Sequence, residues 1–316
     1  MFEYAEEVMP AASSLADRAV AWPDTADWYA LRSSGIGSSE IGAVVGCDEF
    51  CTAREIYERK LGSLEEFEGN KATRFGKHNE PFVLSEFCRE EGEEVAVYPC
   101  PMIRHPEHPF MFGTPDADLR SGRLYEGKVA NFRQLSKWGP QGTDEIPERY
   151  LCQTQWQLAV AGRDECKLAV MIAGDELRVY TIERNDRLIE RLTEAAYEFW
   201  RRVVHRDPPP FDTAHRSTRD LLRGLYGTIA DDQVVALSSG SVAAWATYEE
   251  LGKEIKELEA QQAEARAIVE AEIGNHLGGD LGNGKFIKKS VSERASYVVK
   301  AATVVTYRAC NVKGKA

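Results

Sequence analysis

The chain has 316 residues, of which 43% are apolar and 28% are charged, a composition typical of a folded globular protein. Its formal net charge of −12 argues against a general nucleic-acid-binding protein, although a metal site built from carboxylates is itself acidic. Seven cysteines without framework spacing predict reduced thiols and a cytoplasmic location, and no apolar run is long enough to cross a membrane.

The first motif in chain order is a loop rich in glycine and serine. Trp28–Arg32 predicts a short helix, and Ser33–Glu40 leads from it into an apolar helix beginning at Ile41. Two interpretations stay open. The loop either cradles a phosphate with its backbone and the hydroxyls of Ser38 and Ser39, or one of these serines is a plain helix N-cap.

Two helices are predicted next, over residues 52–61 and 70–89. Pro81 falls inside the second and marks a helix start or a kink, with Glu80 directly before it. The apolar side chains of the second helix expected to face the core recur at helical spacing: Phe75, Phe82, Val83 and Phe87.

An acidic hairpin follows. Short strands at Met111–Phe112 and Leu124–Tyr125 are predicted on either side of a glycine-containing turn, which would bring Asp116 and Glu126 close together. The period-2 alternation of a strand puts Glu126 and Lys128 on one face. Two carboxylates beside an amine indicate a Mg²⁺ site with a basic group, which is the chemistry of phosphodiester hydrolysis.

Alternatives to this site also stay open. Asp118 is a second acid beside Asp116 and could take the metal instead. Glu165-Cys-Lys167 repeats the Glu-x-Lys spacing in front of a predicted strand. Two further copies of the pattern lie in segments of helical spacing, where a solvated charged surface is expected.

A helix opened by Pro147 is predicted beyond the hairpin, and Tyr150, Gln153 and Gln157 share one of its faces. That face either orients polar ligands or is exposed to solvent. A hairpin over 168–173 and 177–182 and a helix over 186–204 complete a predicted core of residues 1–206.

A Pro-rich linker is predicted over 207–240, and an accessory region over 241–316 for duplex grip or partner docking. The latter begins with a long helix carrying a heptad-like apolar stripe and continues with strands at 285–289 and 296–308. Its end, from residue 285 onward, has eight Lys and Arg against one Glu.

Four motif blocks, in order, resemble the lambda-exonuclease or YqaJ-type phage recombination nucleases of the PD-(D/E)XK superfamily. The resemblance covers residues from about 30 to 160 and implies a restriction-endonuclease-like α/β fold, with a mixed central sheet flanked by helices. The long helix and strands after it form a C-terminal appendage outside this resemblance. The blocks are Trp28-x₃-Arg32 with Ile36–Glu40, Phe75-Gly-Lys-x₂-Glu80, Thr114-Pro-Asp116 with Glu126-x-Lys128, and Tyr150-x₂-Gln153-x-Gln155.

The resemblance implies roles for the residues of the hairpin. Asp116 and Glu126 would bind Mg²⁺, or Mn²⁺ in its place, together with the backbone carbonyl of Gly127. Lys128 would orient or deprotonate the attacking water, and Glu80 would approach a second metal. Gly127 departs from a good strand sequence, because glycine weakens strands.

The resemblance also implies that Gln153 supports the site and that Arg32 and Ser39, with Ser38 beside them, bind the 5′-terminal phosphate of DNA. The predicted function is a metal-dependent 5′→3′ double-strand DNA exonuclease. It would leave 3′ single strands for a single-strand annealing protein in phage-type recombination.

Two other functions stay open: an endonuclease or single-strand nuclease on the same fold, and a catalytically decayed DNA-end-binding protein. The expected setting is the cytoplasm of a bacterial host carrying a phage or prophage. Homo-oligomers occur in the family, although no ring interface can be recognised in the sequence.

Overall fold

The computed structural model describes residues 14–64, 69–231, 233–282 and 284–293. The chain forms two compact units, Met1–Tyr226 and Gly227–Ala316. Among the described residues, no helix is long and apolar enough to span a membrane.

The first unit contains two sheets and the helices that cover them. Its strands are β1 Ala19–Ala21, β2 Ile36–Gly37, β3 Val95–Val97, β4 Met102–Arg104, β5 Met111–Gly113, β6 Ala117–Leu119, β7 Leu124–Ala130, β8 Glu165–Ile172 and β9 Glu176–Glu183. Its α-helices are α1 Ala26–Arg32, α2 Ile41–Val44, α3 Ala53–Lys60, α4 Lys71–Glu91, α5 Glu148–Ala161, α6 Asp186–His205 and α7 Thr218–Tyr226. Two 3₁₀ helices cover Leu15–Arg18 and Phe132–Lys137.

The larger sheet has the strand order β3-β6-β7-β8-β9. Only β7 and β8 are parallel in it, and every other neighbouring pair is antiparallel. The smaller sheet has the order β1-β4-β5-β2. The predicted mixed sheet flanked by helices is therefore confirmed.

The predicted acidic hairpin is confirmed, with one strand reassigned. Its strands are β6 and β7, with Ala117 opposite Tyr125. The turn depends on Gly122, which has a φ of 84° and donates its N–H to the Leu119 carbonyl at 2.9 Å. Met111 and Phe112, predicted as the first strand of the hairpin, instead lie in β5 of the smaller sheet, because three residues of extended chain separate β5 from β6.

The two faces of the larger sheet pack against different helices. One core cluster joins α5 and α6 to alternate residues of β7 and β8, such as Leu124, Leu168 and Val170. The other joins α4 to the intervening residues, such as Tyr125 and Ala169. Since Glu126 and Lys128 share the parity of Leu124, the face that carries them is the α5 face.

Helix α4 begins at a capping box of Asn70 and Thr73 and runs through Pro81 without ending there. The predicted inward position is correct for Val83 and Phe87, which are fully buried, and the structure adds Leu84. It is wrong for two other residues, because a second apolar ridge of the helix faces solvent: Phe75 is 56% exposed and Phe82 is 52% exposed.

The segment after α6, predicted as the start of a linker, packs on the first unit. The guanidinium of Arg54 donates to the Pro209 carbonyl at 3.0 Å and lies 4.1 Å from the centroid of the Phe211 ring. His215 Nε2 is 2.9 Å from the Asp48 carbonyl oxygen, and Leu221 of α7 is buried. The two units thus divide after Tyr226, later than the composition predicts.

The second unit contains the long predicted helix, α8, over Ser239–Ile273. A short antiparallel pair follows, β10 Gly278–Asp280 and β11 Phe286–Lys288, in agreement with the strand predicted at 285–289. The strand predicted at 296–308 and most of the basic end lie outside the described residues.

Candidate active site

Glu126 is the most firmly held side chain of the predicted site. It lies in β7 and is 2% exposed. Its Oε1 accepts hydrogen bonds from Lys128 Nζ and Gln153 Nε2, and its Oε2 accepts one from Gln157 Nε2 at 2.8 Å. Three donors from two elements therefore fix both oxygens of one buried carboxylate.

Asp116 lies directly before β6, and the hairpin register brings it next to Glu126. Its Oδ2 accepts the Gly127 N–H at 2.7 Å. Burial and the negative charge of Glu126 raise the pKa of the Asp116 carboxyl well above its usual value, and the cation of Lys128 opposes the rise. The structure thus places the Asp116 carboxyl, whose ionisation is opposed, beside the buried Glu126 carboxylate.

Lys128 balances part of this negative charge. Burial opposes its charged form, but the carboxylates of Glu126 and Asp116 outweigh burial and raise the pKa of the amine above its ordinary value. The amine also lies 5.1 Å from the centroid of the Tyr150 ring, within range of a cation–π contact. Lys128 is therefore held as a cation beside Glu126.

Glu80 comes from α4 on the other side of the sheet. Burial raises the pKa of its carboxyl, the cation of Lys128 lowers it, and the charge of Glu126 raises it again. Glu80 is consequently within electrostatic reach of Lys128 and Glu126.

The chemistry of these groups suits a hard divalent cation. Carboxylate oxygens are the ligands that Mg²⁺ takes from proteins, and a bound cation would offset the burial and negative charge that raise the pKa of the Asp116 carboxyl. Gln157 Oε1 is another buried oxygen, without a hydrogen-bond partner among the described residues. In the described part of the chain, however, no three Asp, Glu, His or Cys side chains are already arranged around one metal position.

Gly127 fits the strand for a reason that the sequence does not show. β7 pairs with β8 without a break, and Gly127 lies opposite Ala169. A Cβ at position 127 would lie 3.0 Å from the Tyr125 hydroxyl oxygen, so the tyrosine ring covers the space beside the glycine. The strand therefore continues through Gly127, with the Tyr125 side chain beside it on the same face.

Asp118, the alternative metal ligand, has a different partner. It is 2% exposed, and its carboxylate is 3.1 Å from Arg163 Nη2. It also accepts the Leu15 N–H at 3.5 Å. These contacts make Asp118 part of a buried ion pair that ties the end of α5 to β6.

The competing pair Glu165 and Lys167 lies at the start of β8. Glu165 pairs with Arg123 Nε at 2.8 Å, and Lys167 Nζ donates to Thr181 Oγ1 at 2.8 Å. Neither contact brings a second carboxylate to the pair, and the amides of α5 contact Glu126. The geometry thus favours the Glu126 copy of the motif.

The residues predicted to bind a 5′-phosphate lie around the end of α1. The Arg32 guanidinium stacks 4.7 Å from the centroid of the Trp28 ring. Ser39 is exposed, but Ser38 is buried at 6% exposure. The N-cap interpretation of the serines is wrong, because α2 begins at Ile41 as predicted but has Glu40, and neither serine, at its N-cap position.

Glu40 closes this loop. It accepts the Gly37 N–H at 2.8 Å and pairs with Lys60 Nζ at 2.7 Å. Lys60 also donates to the Arg32 carbonyl. Glu40 thus stabilises the loop backbone through its contact with Lys60. The Arg32 side chain lies instead on the Trp28 ring.

Two contacts go beyond the roles that the resemblance assigns. Gln157 holds Glu126 as firmly as Gln153 does, and Tyr150 lies under Lys128. The helical spacing of Tyr150, Gln153 and Gln157 is the sequence signal for both contacts. By contrast, Gln155 faces away and bonds the Glu183 carbonyl and the Asn185 N–H.

Comparisons with known proteins agree with the predicted family. Residues 27–164 match the family model of the YqaJ-like viral recombinase domain. The Bacillus subtilis (strain 168) protein called Uncharacterized protein YqaJ is 27% identical over 261 residues, which are 81% of each chain.

Similar solved structures include two exonucleases. The alkaline exonuclease LHK-Exo from Laribacter hongkongensis is 22% identical, with a TM-score of 0.47 over 58% of this chain and 94% of its own. A phage-related exonuclease from Haemophilus somnus 129PT is 16% identical, with a TM-score of 0.43 over 54% of this chain and 96% of its own.

Proposed function

We propose that the chain is a Mg²⁺-dependent DNA exonuclease, with Mn²⁺ as an alternative metal, that degrades double-stranded DNA from 5′ to 3′. The observation that carries the proposal is the buried Glu126 carboxylate, fixed by Lys128, Gln153 and Gln157 beside Asp116. The match of residues 27–164 to the model of the YqaJ-like viral recombinase domain supports a role in recombination. The 3′ single strands left behind would be handed to a single-strand annealing protein in the cytoplasm of a phage-bearing host.

Asp116, Glu126 and the Gly127 carbonyl would hold the metal, and Glu80 would serve a second one. When bound, two such ions activate water and stabilise the leaving oxygen. Lys128, held as a cation by its carboxylate neighbours, orients the attacking water and offsets negative charge on the phosphate. Gln153 and Gln157 keep Glu126 from turning away.

The most direct test is digestion of linear duplex labelled at either end, with and without Mg²⁺. We expect release of the 5′ label first, only with metal, and no cutting of closed circular duplex. Cutting of the circle would indicate an endonuclease instead, and digestion confined to single strands would indicate a single-strand nuclease. Binding of duplex ends without cleavage under any metal would indicate a decayed end-binding protein.

A matched pair of variants ties the activity to the site. Glu126→Gln keeps the shape of the side chain and removes its charge, and it should abolish cleavage while DNA binding survives. Glu165→Gln makes the same change in the competing motif and should leave cleavage intact. Cleavage by Glu126→Gln together with no cleavage by Glu165→Gln would identify Glu165 as the catalytic acid instead.

The 5′→3′ direction of digestion depends on recognition of the 5′-phosphate. Arg32 and Ser39 would bind this phosphate, together with the backbone near Ser38. A terminal phosphate carries more charge than an internal diester and rewards a guanidinium donor. Loss of one charge-assisted hydrogen bond costs about 1.5–3 kcal/mol, or roughly ten- to a hundredfold in the step that it supports.

Arg32→Ala should therefore slow digestion of 5′-phosphorylated ends and leave 5′-hydroxyl ends nearly unaffected. Arg32→Lys is the control that retains the charge and loses the planar guanidinium on Trp28. Equal slowing on both kinds of end, together with a lower melting temperature, would assign Arg32 a purely structural role.

A further inference from the structure

Helix α8 carries large apolar side chains on its solvent-facing surface. Tyr248 is 67% exposed, Leu251 51%, Ile255 54% and Leu258 56%. A surface helix in water gains most of its stability by burying an apolar face. The length and continuity of this stripe point to a partner that runs along the helix.

The spacing of the stripe specifies the kind of partner. From Ala244 to Val269 its members are alternately four and three residues apart, the repeat of a two-stranded coiled coil. Ile255 lies at an a position, and leucine occupies the d positions on either side of it. The seam consists of Ala244, Tyr248, Leu251, Ile255, Leu258, Gln262, Ala265 and Val269.

We propose that this seam is a dimer interface in which α8 packs antiparallel against α8 of a second copy of the chain. The sizes of the seam residues are complementary in this orientation. With the pair centred between Lys256 and Glu257, Ile255 meets Leu258 and the large Tyr248 meets the small Ala265.

The charges beside the seam select the same orientation. In a parallel pair, Glu254 would face Glu259 of the other copy on both sides, and like charges there oppose pairing. In the antiparallel pair, Glu254 faces Gln261 and Glu259 faces Gly252. No like-charged residues then oppose each other along the seam.

The flanking aromatic and polar residues fit the antiparallel pair as well. Arg266 would lie opposite Trp245, which already packs against Tyr248 with ring centroids 5.2 Å apart, and a cation–π contact would result. Gln262 would lie between the copies opposite Leu251. A single polar residue at an a position fixes the register of a coiled coil at some cost in stability.

The first test measures the mass of the full chain by sedimentation at micromolar concentration. The double variant Ile255→Glu/Leu258→Glu places like charges in the seam and should halve the particle mass. Ala260→Glu, on the outer face of the same helix, is the matched control and should leave the mass unchanged. A wild-type chain that sediments as single copies, or an unchanged mass in the double variant, would overturn the proposal.

The second test measures the orientation by cross-linking. Leu251→Cys and Gln262→Cys chains should form a disulfide-linked pair when mixed and oxidised, because these positions meet between antiparallel copies. Each variant alone should show only the background given by the native cysteines of the wild-type chain. Cross-linking of each variant with itself would indicate a parallel pair and contradict the antiparallel arrangement.

Discussion

Helix α5 buries amide side chains among its apolar residues, whereas helix α8 exposes its apolar side chains. α5 has 14 residues, nine of them buried, and these include Gln155 and Gln157. α8 has 35 residues, and Ile273 is the one buried among those described. The helix with amides is enclosed, whereas the helix with leucines at heptad spacing faces solvent.

The difference shows that helical spacing identifies a face but does not state what the face contacts. The buried amides of α5 are tolerated because Glu126 and the chain around residue 183 accept their hydrogen bonds. The apolar stripe of α8 has the spacing of an interface with another chain. The residues that the α5 amides contact lie far away in sequence. The partner proposed for the α8 stripe lies in another molecule.

The largest expected effect concerns the cation beside the α5 face. Lys128→Met removes the charge next to Glu126 and should lower the cleavage rate of linear duplex by about 10²–10⁴-fold. Lys167→Met makes the same change on the neighbouring strand, where the amine bonds Thr181, and should cleave normally. A wild-type rate in Lys128→Met would show that the amine has only a structural role.

Asp118 and Asp116, the two neighbouring acids of the hairpin, should differ strongly in their effect on stability. Asp118→Asn breaks the buried pair with Arg163 and should lower the free energy of unfolding by about 3–5 kcal/mol. Asp116→Asn should not destabilise the fold, because it removes a carboxylate whose ionisation burial and Glu126 oppose, but it should lose cleavage. Urea denaturation in a metal-free buffer measures both variants, and a greater loss in Asp116→Asn would reverse the assignment.

A moderate effect is expected for the amide of α5 that the resemblance does not include. Gln157→Leu releases Glu126 Oε2 and should reduce activity by about 10–100-fold, with a higher Mg²⁺ requirement, since residues behind metal ligands act through ligand orientation. Gln155→Leu is the control and should affect stability rather than the Mg²⁺ requirement. An unchanged Mg²⁺ titration curve for Gln157→Leu would contradict this role.

The smallest effect belongs to the outer face of α8. Lys253 lies outside the heptad seam, so Lys253→Ala should change the free energy of unfolding by no more than about 0.5 kcal/mol and leave the particle mass unchanged. Denaturation and sedimentation of the same sample test this. A larger loss would show that the outer face also packs against protein.

The sequence predicts the hairpin part of the candidate site because the contacts within the hairpin are local. The turn at Gly122 sets the register that pairs residue 117 with 125, and the same register puts Asp116 opposite Glu126. Strand alternation then aligns Lys128 with Glu126, and helical spacing aligns Gln153 with Gln157. Each step needs only a turn position and a period.

The remaining features depend on contacts between distant parts of the chain. Asp118 resembles Asp116 until Arg163 is placed beside it by the end of α5. Phe75 and Phe82 have helical spacing, but the sheet covers only the side of α4 with Val83 and Phe87. The Pro-rich segment resembles a linker because its anchoring contacts with Arg54 are to a backbone carbonyl and a ring.

The absence of a side chain at Gly127 leaves room for a contact between the larger sheet and α4. The Tyr125 ring occupies the space beside Gly127, and on the other side it packs against Phe87 of α4, with ring centroids 4.7 Å apart. α4 also carries Glu80. A methyl group at position 127 would thus crowd the Tyr125 hydroxyl, and the ring of that tyrosine packs on the same helix that carries Glu80. A residue without a side chain in β7 therefore leaves room for a contact between the sheet and α4.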